Sequence, residues 1–497
     1  MLRYTPGVGF SDGTFGRPFR IFNGGTGYTG NPGRTDCRIR KVARMRRIAF
    51  FALLAGMVSP CLAQARTLPI ERGERACTSC KSLDLAINGF GVSFGNSTRF
   101  TGLRFNLVDR DVEEINGINL TFWKPRENPN AVIRGLAVGL YGPRAGEIRG
   151  ISVGVAAVIG ESRISGLSVA GLAVVSEGEI TGIAVGGLAT VAEGSAAGIF
   201  AGGLASVVEG SMSGIGVGGL ASVTEGSLSG ISAGGLASVV EGSLSGIAAG
   251  GLATVVEGSA SGILTGGLAS VVEGSATGIF VGGLANVVEG RATGIFVGGL
   301  ANVVDGPMTG ISIAGLSTVA TESFSGLSVS GLLASMEEDA SGITLAGGGV
   351  ISQGDLSGVT VGGVGTIFSP EPPHVEDSYS FKLAYAGIRA ANARYLTVHG
   401  VDVDIADRLE GLGAAGLSVR AGEISGAALA GILVKAHTLA GFSAGAVNYF
   451  DEYQAGLSIG LVNIARSLNG IQLGLLNIVK DNPSPFKVLP IINAHFE

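Results

Sequence analysis

Glycine returns every sixteen residues, at Gly150, Gly166, Gly182, Gly198, Gly214, Gly230, Gly246, Gly262, Gly278, Gly294, Gly310, Gly326, Gly342 and Gly358, thirteen equal intervals in all. A fixed period of this length marks a repeat architecture, in which each unit is walled by its neighbours. It also limits chemistry. A catalytic site brings different residues to one place, whereas a repeat puts the same residue in many places.

The unit "GIFVGGLANVVEGRAT", from Gly278 to Thr293, carries four glycines. Each costs about 0.8–1 kcal/mol against Ala in a helix, so a helix is excluded. Ile279 and Val281 occupy nearly fixed aliphatic columns, while the residue between them varies (Phe280, Leu264, Ala248, Ser232, Gly216). That alternation predicts a strand whose buried face carries Ile279 and Val281.

The expected fold is therefore all-β: a β-solenoid of 16-residue coils with atypical β caps, its equivalent residues stacked ~4.8 Å apart and its thirteen intervals rising about 60 Å. The alternative is an antiparallel β-meander or barrel. A transmembrane barrel fits worst, because its strands need about 9–11 residues. Here glycines such as Gly282-Gly283 interrupt the runs, and residues 150–365 have neither Trp nor Tyr for an aromatic girdle. Identical spacing favours stacking, since one extra residue would break register with both neighbours. Against it stands the column Glu161, Glu177, Glu193, Glu209, Glu225, Glu241, Glu257, Glu273, Glu289, Asp305. Stacked like charges at ~4.8 Å repel by roughly 0.9 kcal/mol per pair in water before screening. We read this column as a solvated edge rather than a row of Ca²⁺ sites, because "GGLANVVEG" lacks the Gly and Asp of the calcium solenoid motif.

The flanks divide the chain. "MRRIAFFALLAGMVSPCLAQA", residues 45–65, reads as a signal peptide: a basic start, a short apolar run and an Ala63-Gln64-Ala65 cleavage site. Attachment as a lipoprotein through Cys61 is the weaker alternative, since Pro60 fits a lipidation box poorly. Residues 1–44 are expected to be an upstream segment from a start assigned too early. Residues 66–134, with the single tryptophan Trp123, read as an N-terminal β cap, and 135–368 as the repeat array. Residues 369–410 read as a loop and β insertion opening on "SPEPPHVEDS", and 411–497 as looser repeats with a tail. Cys77 and Cys80 read as a short-loop disulfide in an exported chain.

"AGLSIGLVNIARSLNGIQLGLLNIVKDNPSPFKVLPIINAHF" contains two units of the form G-[ILV]-x-[ILV]-G-L-[ILV]-N, Gly456 to Asn463 and Gly470 to Asn477. Over about the last seventy residues the chain resembles a bacterial family described as surface repeat-containing proteins. There such units follow a signal peptide and end in a Pro-rich, aromatic-tailed segment. The central array departs from that pattern, with Leu-Ala-Ser/Thr/Asn in place of Leu-Val-Asn. The resemblance implies an envelope location and brings no catalytic or binding residues. Asn463 and Asn477, stacked on each other, would form an amide ladder.

No nucleophile elbow, P-loop or H-E-x-x-H occurs. His374, His399, His437 and His495 are scattered and read as surface or packing residues. Asp402, Asp404 and Asp407 alternate in "VDVDIAD"; a paired-carboxylate hydrolase needs two such groups, but the solvent face of a strand explains them. The net charge of −6 gives no basic face for nucleic acid. The expectation is a non-enzyme with no catalytic, cofactor-binding or metal residues and no cofactor. It would be exported to the cell surface or outer membrane (alternatively the periplasm) and act as a structural spacer or display module toward an envelope partner. Outer-membrane association is expected, and a small-molecule substrate is not. One alternative is an adhesin offering the hydroxyl and amide row Ser206, Ser222, Ser238, Thr254, Ser270, Asn286, Asn302 to a glycan or host protein. A polysaccharide-acting enzyme is the less favoured third reading.

Overall fold

The computed structural model describes residues 82–87, 90–363 and 387–496. The expected signal peptide and upstream segment, Cys77 and Cys80, the segment 369–378 and His374 lie outside the described residues. Within them the chain is all-β and forms a β-solenoid of about 22 turns.

One coil shows the construction. A strand runs Ala276–Gly282 and a shorter one Ala285–Val288. The chain changes direction at Gly278, at Gly283-Leu284 and at Glu289-Gly290. Each strand pairs in parallel with its equivalents sixteen residues away: Ala276 to Gly282 lie against Ala292 to Gly298, and Ala285 to Val288 against Ala301 to Val304. The bends are pinned as well. Leu284 N–H donates to Leu268 C=O at 2.7 Å and Glu289 N–H to Val272 C=O at 2.9 Å. Backbone groups along both strands and at the bends thus pair with the adjoining coils, so register is strict and the period cannot slip.

Gly278 sits at φ 131°, where L side chains rarely go. A Cβ there would overlap the carbonyl oxygen of Gly262 in the adjoining coil. The sixteen-residue glycine column is therefore the close approach between coils at one corner.

The direction in which the strands face reverses the sequence expectation. Phe280 is 1% exposed, whereas Ile279 and Val281 are 40% and 37% exposed. The most variable column points inward, and the aliphatic Ile279 column points outward together with the column of Val281. The reason is the kink at Gly278, together with the way Phe280 and Gly282 face Asn286 and Val288 of the short strand across the interior. Alternation reveals two faces but not which one is buried. The interior accommodates its variation locally: Phe280 and Phe296 stack at 4.9 Å with planes 6° apart.

Coiling extends beyond 135–368. Residues 90–134, read as a cap, contain strands Phe90–Gly95, Arg99–Asn106 and Glu114–Thr121 in parallel pairing, with Gly102 and Gly117 in the same corner column. The ends are closed by single antiparallel strands, Ser82–Ile87 on Phe90–Gly95 and Val488–His495 on Val462–Val479. Of the segment 369–410 read as an insertion, Ile388–Ala390 and Ala393–His399 rejoin the stack, pairing with the coil that ends at Gly362. There Tyr395 replaces the corner glycine, at φ 78°. The looser C-terminal spacing is absorbed by bulges, as between Phe450 and Tyr453.

Candidate interaction surface

The outside of the array is built from columns. At the position of Ile279 every coil from Ile151 to Val359 places Ile, Leu or Val. The inward neighbour over the same coils ranges from Gly216 and Ser232 to Phe280. Two residues after the outward Ile stands Val281 or its equivalents, including Val185, Val217 and Ile313, all well exposed. The bend adds Leu284, 45% exposed, stacked between Leu268 and Leu300. Val287 and its equivalents are half-buried on the outer side of the short strand. The Val281 column admits Ala201, Ala233, Ala249 and Thr265. Strand preference accounts for the β-branched shape of the Ile279 column but not for the exclusion of Thr from it, nor for Leu at a bend. An outward aliphatic patch of this extent makes this side of the coil the candidate interaction surface.

The polar residues divide between a corner, a side and the interior. The Glu column lies at the bend after the short strand and is mostly exposed, as expected of a solvated edge. The carboxyl of Glu177 is held above the ordinary range by partial burial, then by its neighbours Glu161 and Glu193. Past that bend comes a hydroxyl side. Ser211, Ser227 and Ser243 form one row and Ser213, Ser229 and Ser245 another, bounding a shallow groove over Met212, Leu228 and Leu244.

The row proposed for ligand contact, Ser206, Ser222, Ser238, Thr254, Ser270, Asn286 and Asn302, is buried, each residue at most 2% exposed. It cannot touch a glycan. It is an interior polar spine: Asn286 Nδ2 donates to Asn302 Oδ1 at 2.9 Å, and Asn302 Nδ2 to Ser312 Oγ at 2.9 Å. The expected ladder at the C-terminus is present and longer by one rung. Asn448 donates to Asn463 at 2.8 Å and Asn463 to Asn477 at 2.7 Å. The first acceptor of each ladder, Asn286 Oδ1 and Asn448 Oδ1, has no hydrogen-bond partner. The preceding coils carry Ser270 and Val434 at those positions, and neither offers an amide to continue the row.

Asp402 and Asp404 stand on the outer side of strand Asp402–Ala415, and Ser418 Oγ donates to Asp402 at 2.6 Å. Among the described residues no group of three or more His, Cys, Asp or Glu is placed to hold a metal ion. His437 is exposed and meets Asp451 at 2.8 Å. His399 is different. It is buried, its Nδ1 accepts the N–H groups of Val401 at 2.9 Å and Asp402 at 3.2 Å, and its Nε2 lies 2.8 Å from Gly348 C=O. With Nδ1 accepting, the proton belongs on Nε2, which donates to that carbonyl.

Burial lowers the His399 pKa, against weaker opposing effects of the Gly348 carbonyl and Asp402. A lowered folded-state pKa means the unfolded chain takes up the proton first as pH falls. Stability from neutral His399 is therefore full above about pH 6.5 and lost as pH drops from there through the lower folded value. The protection factors of the Val401 and Asp402 amides should fall as pH is lowered below about 6.5, and this loss should vanish in His399→Gln. Glu177 acts in the opposite sense: its protonation relieves the cost of partial burial and then the repulsion from Glu161 and Glu193, so protection near it should not fall as pH is lowered.

No protein-family model, no curated protein and no solved structure matches the chain.

Proposed function

We propose that this chain is a non-enzymatic, exported structural module of the bacterial envelope that works through its outer surface, as a spacer or display scaffold holding a partner along its length. The observation that carries the reading is the inversion of constancy across the coils. The outward position of Ile279 stays aliphatic throughout, while the inward position of Phe280 is free to change. A chain constrained only by its own packing would hold the interior constant and let the exterior drift. The segment from Met45 to Ala65 and the resemblance of the C-terminal units to surface repeat proteins support export.

Fractionation tests it. The full chain with a C-terminal epitope, expressed in a Gram-negative host, should be recovered processed after Ala65 with the outer membrane or on the cell surface, and protease added to intact cells should remove it. Unprocessed protein in the cytosol would sink the reading. The paired serine rows favour a second reading, glycan binding on the hydroxyl side. In that case glycan-array binding should disappear when Ser213, Ser229 and Ser245 are changed together to Ala.

A further inference from the structure

We infer that the outward Ile and Val columns are the docking surface for a second copy of this chain, packed face to face; the inference rests on the reading of the chain as a surface-acting module. Three observations select this occupant.

The first is pitch. The columns repeat at the strand spacing, ~4.8 Å, along the whole array. A second copy carries the same columns at the same spacing, so the side chains of one sheet can interdigitate with those of the other over every coil, as packed sheets do. A partner without that period would meet the face only here and there.

The second is area. Thirteen intervals span about 60 Å, and the five residues from Ile279 to Gly283 about 13 Å, giving about 800 Å² on each copy. That is the contribution each partner makes to a stable interface of ordinary size.

The third is charge. Between Gly150 and Gly358 there are sixteen Asp and Glu but only two basic residues, Arg163 and Arg291, and neither Lys, Trp nor Tyr. An anionic lipid surface is recognised by basic and interfacial aromatic side chains, so this array is the wrong partner for one. Two copies avoid the same repulsion. Along each coil the Glu289 corner is separated from Ile279 and Val281 by the short strand on one side and by Ser275 to Thr277 on the other. Packing through the aliphatic columns leaves both acidic ladders away from the contact.

Analytical ultracentrifugation of the full chain at micromolar concentration tests the inference. The expected result is twice the chain mass. The variant Ile247→Lys, Ile279→Lys, Ile311→Lys, with its charges set two coils apart, should weaken association at least a hundredfold. The milder set Ile247→Thr, Ile279→Thr, Ile311→Thr keeps the β-branched shape and should weaken it at least tenfold with the circular dichroism unchanged. Serine-side changes, Ser229→Lys and Ser261→Lys, should leave the dimer intact. A monomeric wild type, or a dimer indifferent to both Ile sets, overturns the inference. So does flotation of the wild type, but not the Lys variant, with phosphatidylglycerol-containing vesicles. Each of these leaves the envelope-module reading standing, since fractionation alone decides that.

Discussion

Gly278→Ala should open the stack locally, costing at least about 3 kcal/mol and exposing the coils on either side to hydrogen exchange. Two costs add. At φ 131° an L side chain pays backbone strain of order 1–3 kcal/mol. Its Cβ would also overlap the backbone oxygen of Gly262, which cannot swing aside as a side-chain end would. Relief requires either φ or the coil spacing to change. Both break register with Gly262 and Gly294, which pair with Gly278 on its two sides. Tyr395 shows what relief looks like. In the same corner column it adopts φ 78°, nearer the left-handed region that non-glycine residues can reach, and it does so where the chain re-enters the stack. Ser275→Ala, at an exposed position of the same coil, should change stability by less than about 0.5 kcal/mol. Because each coil touches only its neighbours, the damage should be confined to residues near 262–294 and be read by residue-resolved exchange. Equal protection in Gly278→Ala and wild type would refute the account of the glycine column.

Arg104→Met should cost about 3–5 kcal/mol and unravel the first coils while leaving the central array protected. Arg104 and Asp109 are both buried and meet at 2.5 Å. The guanidinium also donates to Asn119 Oδ1 at 2.7 Å, Asn96 Oδ1 at 3.0 Å and Ser97 Oγ at 3.1 Å. Asp109 in turn accepts from Thr121 Oγ1 at 2.6 Å and Asn106 Nδ2 at 2.9 Å. Removing the cation leaves a carboxylate out of water with neutral donors only, which is far costlier than removing both charges. The double change Arg104→Met with Asp109→Leu should therefore be less harmful than Arg104→Met alone. Limited proteolysis between residues 90 and 135 separates the cases. If the single variant resists cleavage as well as wild type, the network is not what holds the first coils.

Reading the chain alone locates the coils because stacking leaves a linear trace. In the central array each strand residue pairs with its equivalent sixteen residues away, so any residue that must not carry a Cβ recurs at that interval, as from Gly150 to Gly358. Amide ladders leave the same trace, and Asn463 and Asn477 are found this way. The first coils are harder to read. Between Gly102 and Gly150 the corner glycines fall at Gly117 and Gly135, intervals of fifteen, eighteen and fifteen, and the wide loop carrying Trp123 hides the period. The Arg104 network is harder still: Arg104 and Asn119 stack as register partners, but Asn96, Ser97 and Asp109 join them from outside the strands, at no shared interval.

Local sequence therefore determines the period, the β character, the glycine corners and the solvated Glu edge, because each follows from one residue and its copies in adjacent coils. Only the tertiary structure decides which way the strands face. Alternation is symmetric under exchange of its two sides, and in this chain the two sides are ambiguous: Ile and Val on one, and a mixture of Phe, Ala, Ser and Gly on the other. What breaks the symmetry is the path around the coil, where the kink at Gly278 and the bend at Gly283-Leu284 fold Phe280 and Asn286 toward each other. That closure puts the polar spine inside and the aliphatic columns outside, and with them the surface on which the proposed function depends.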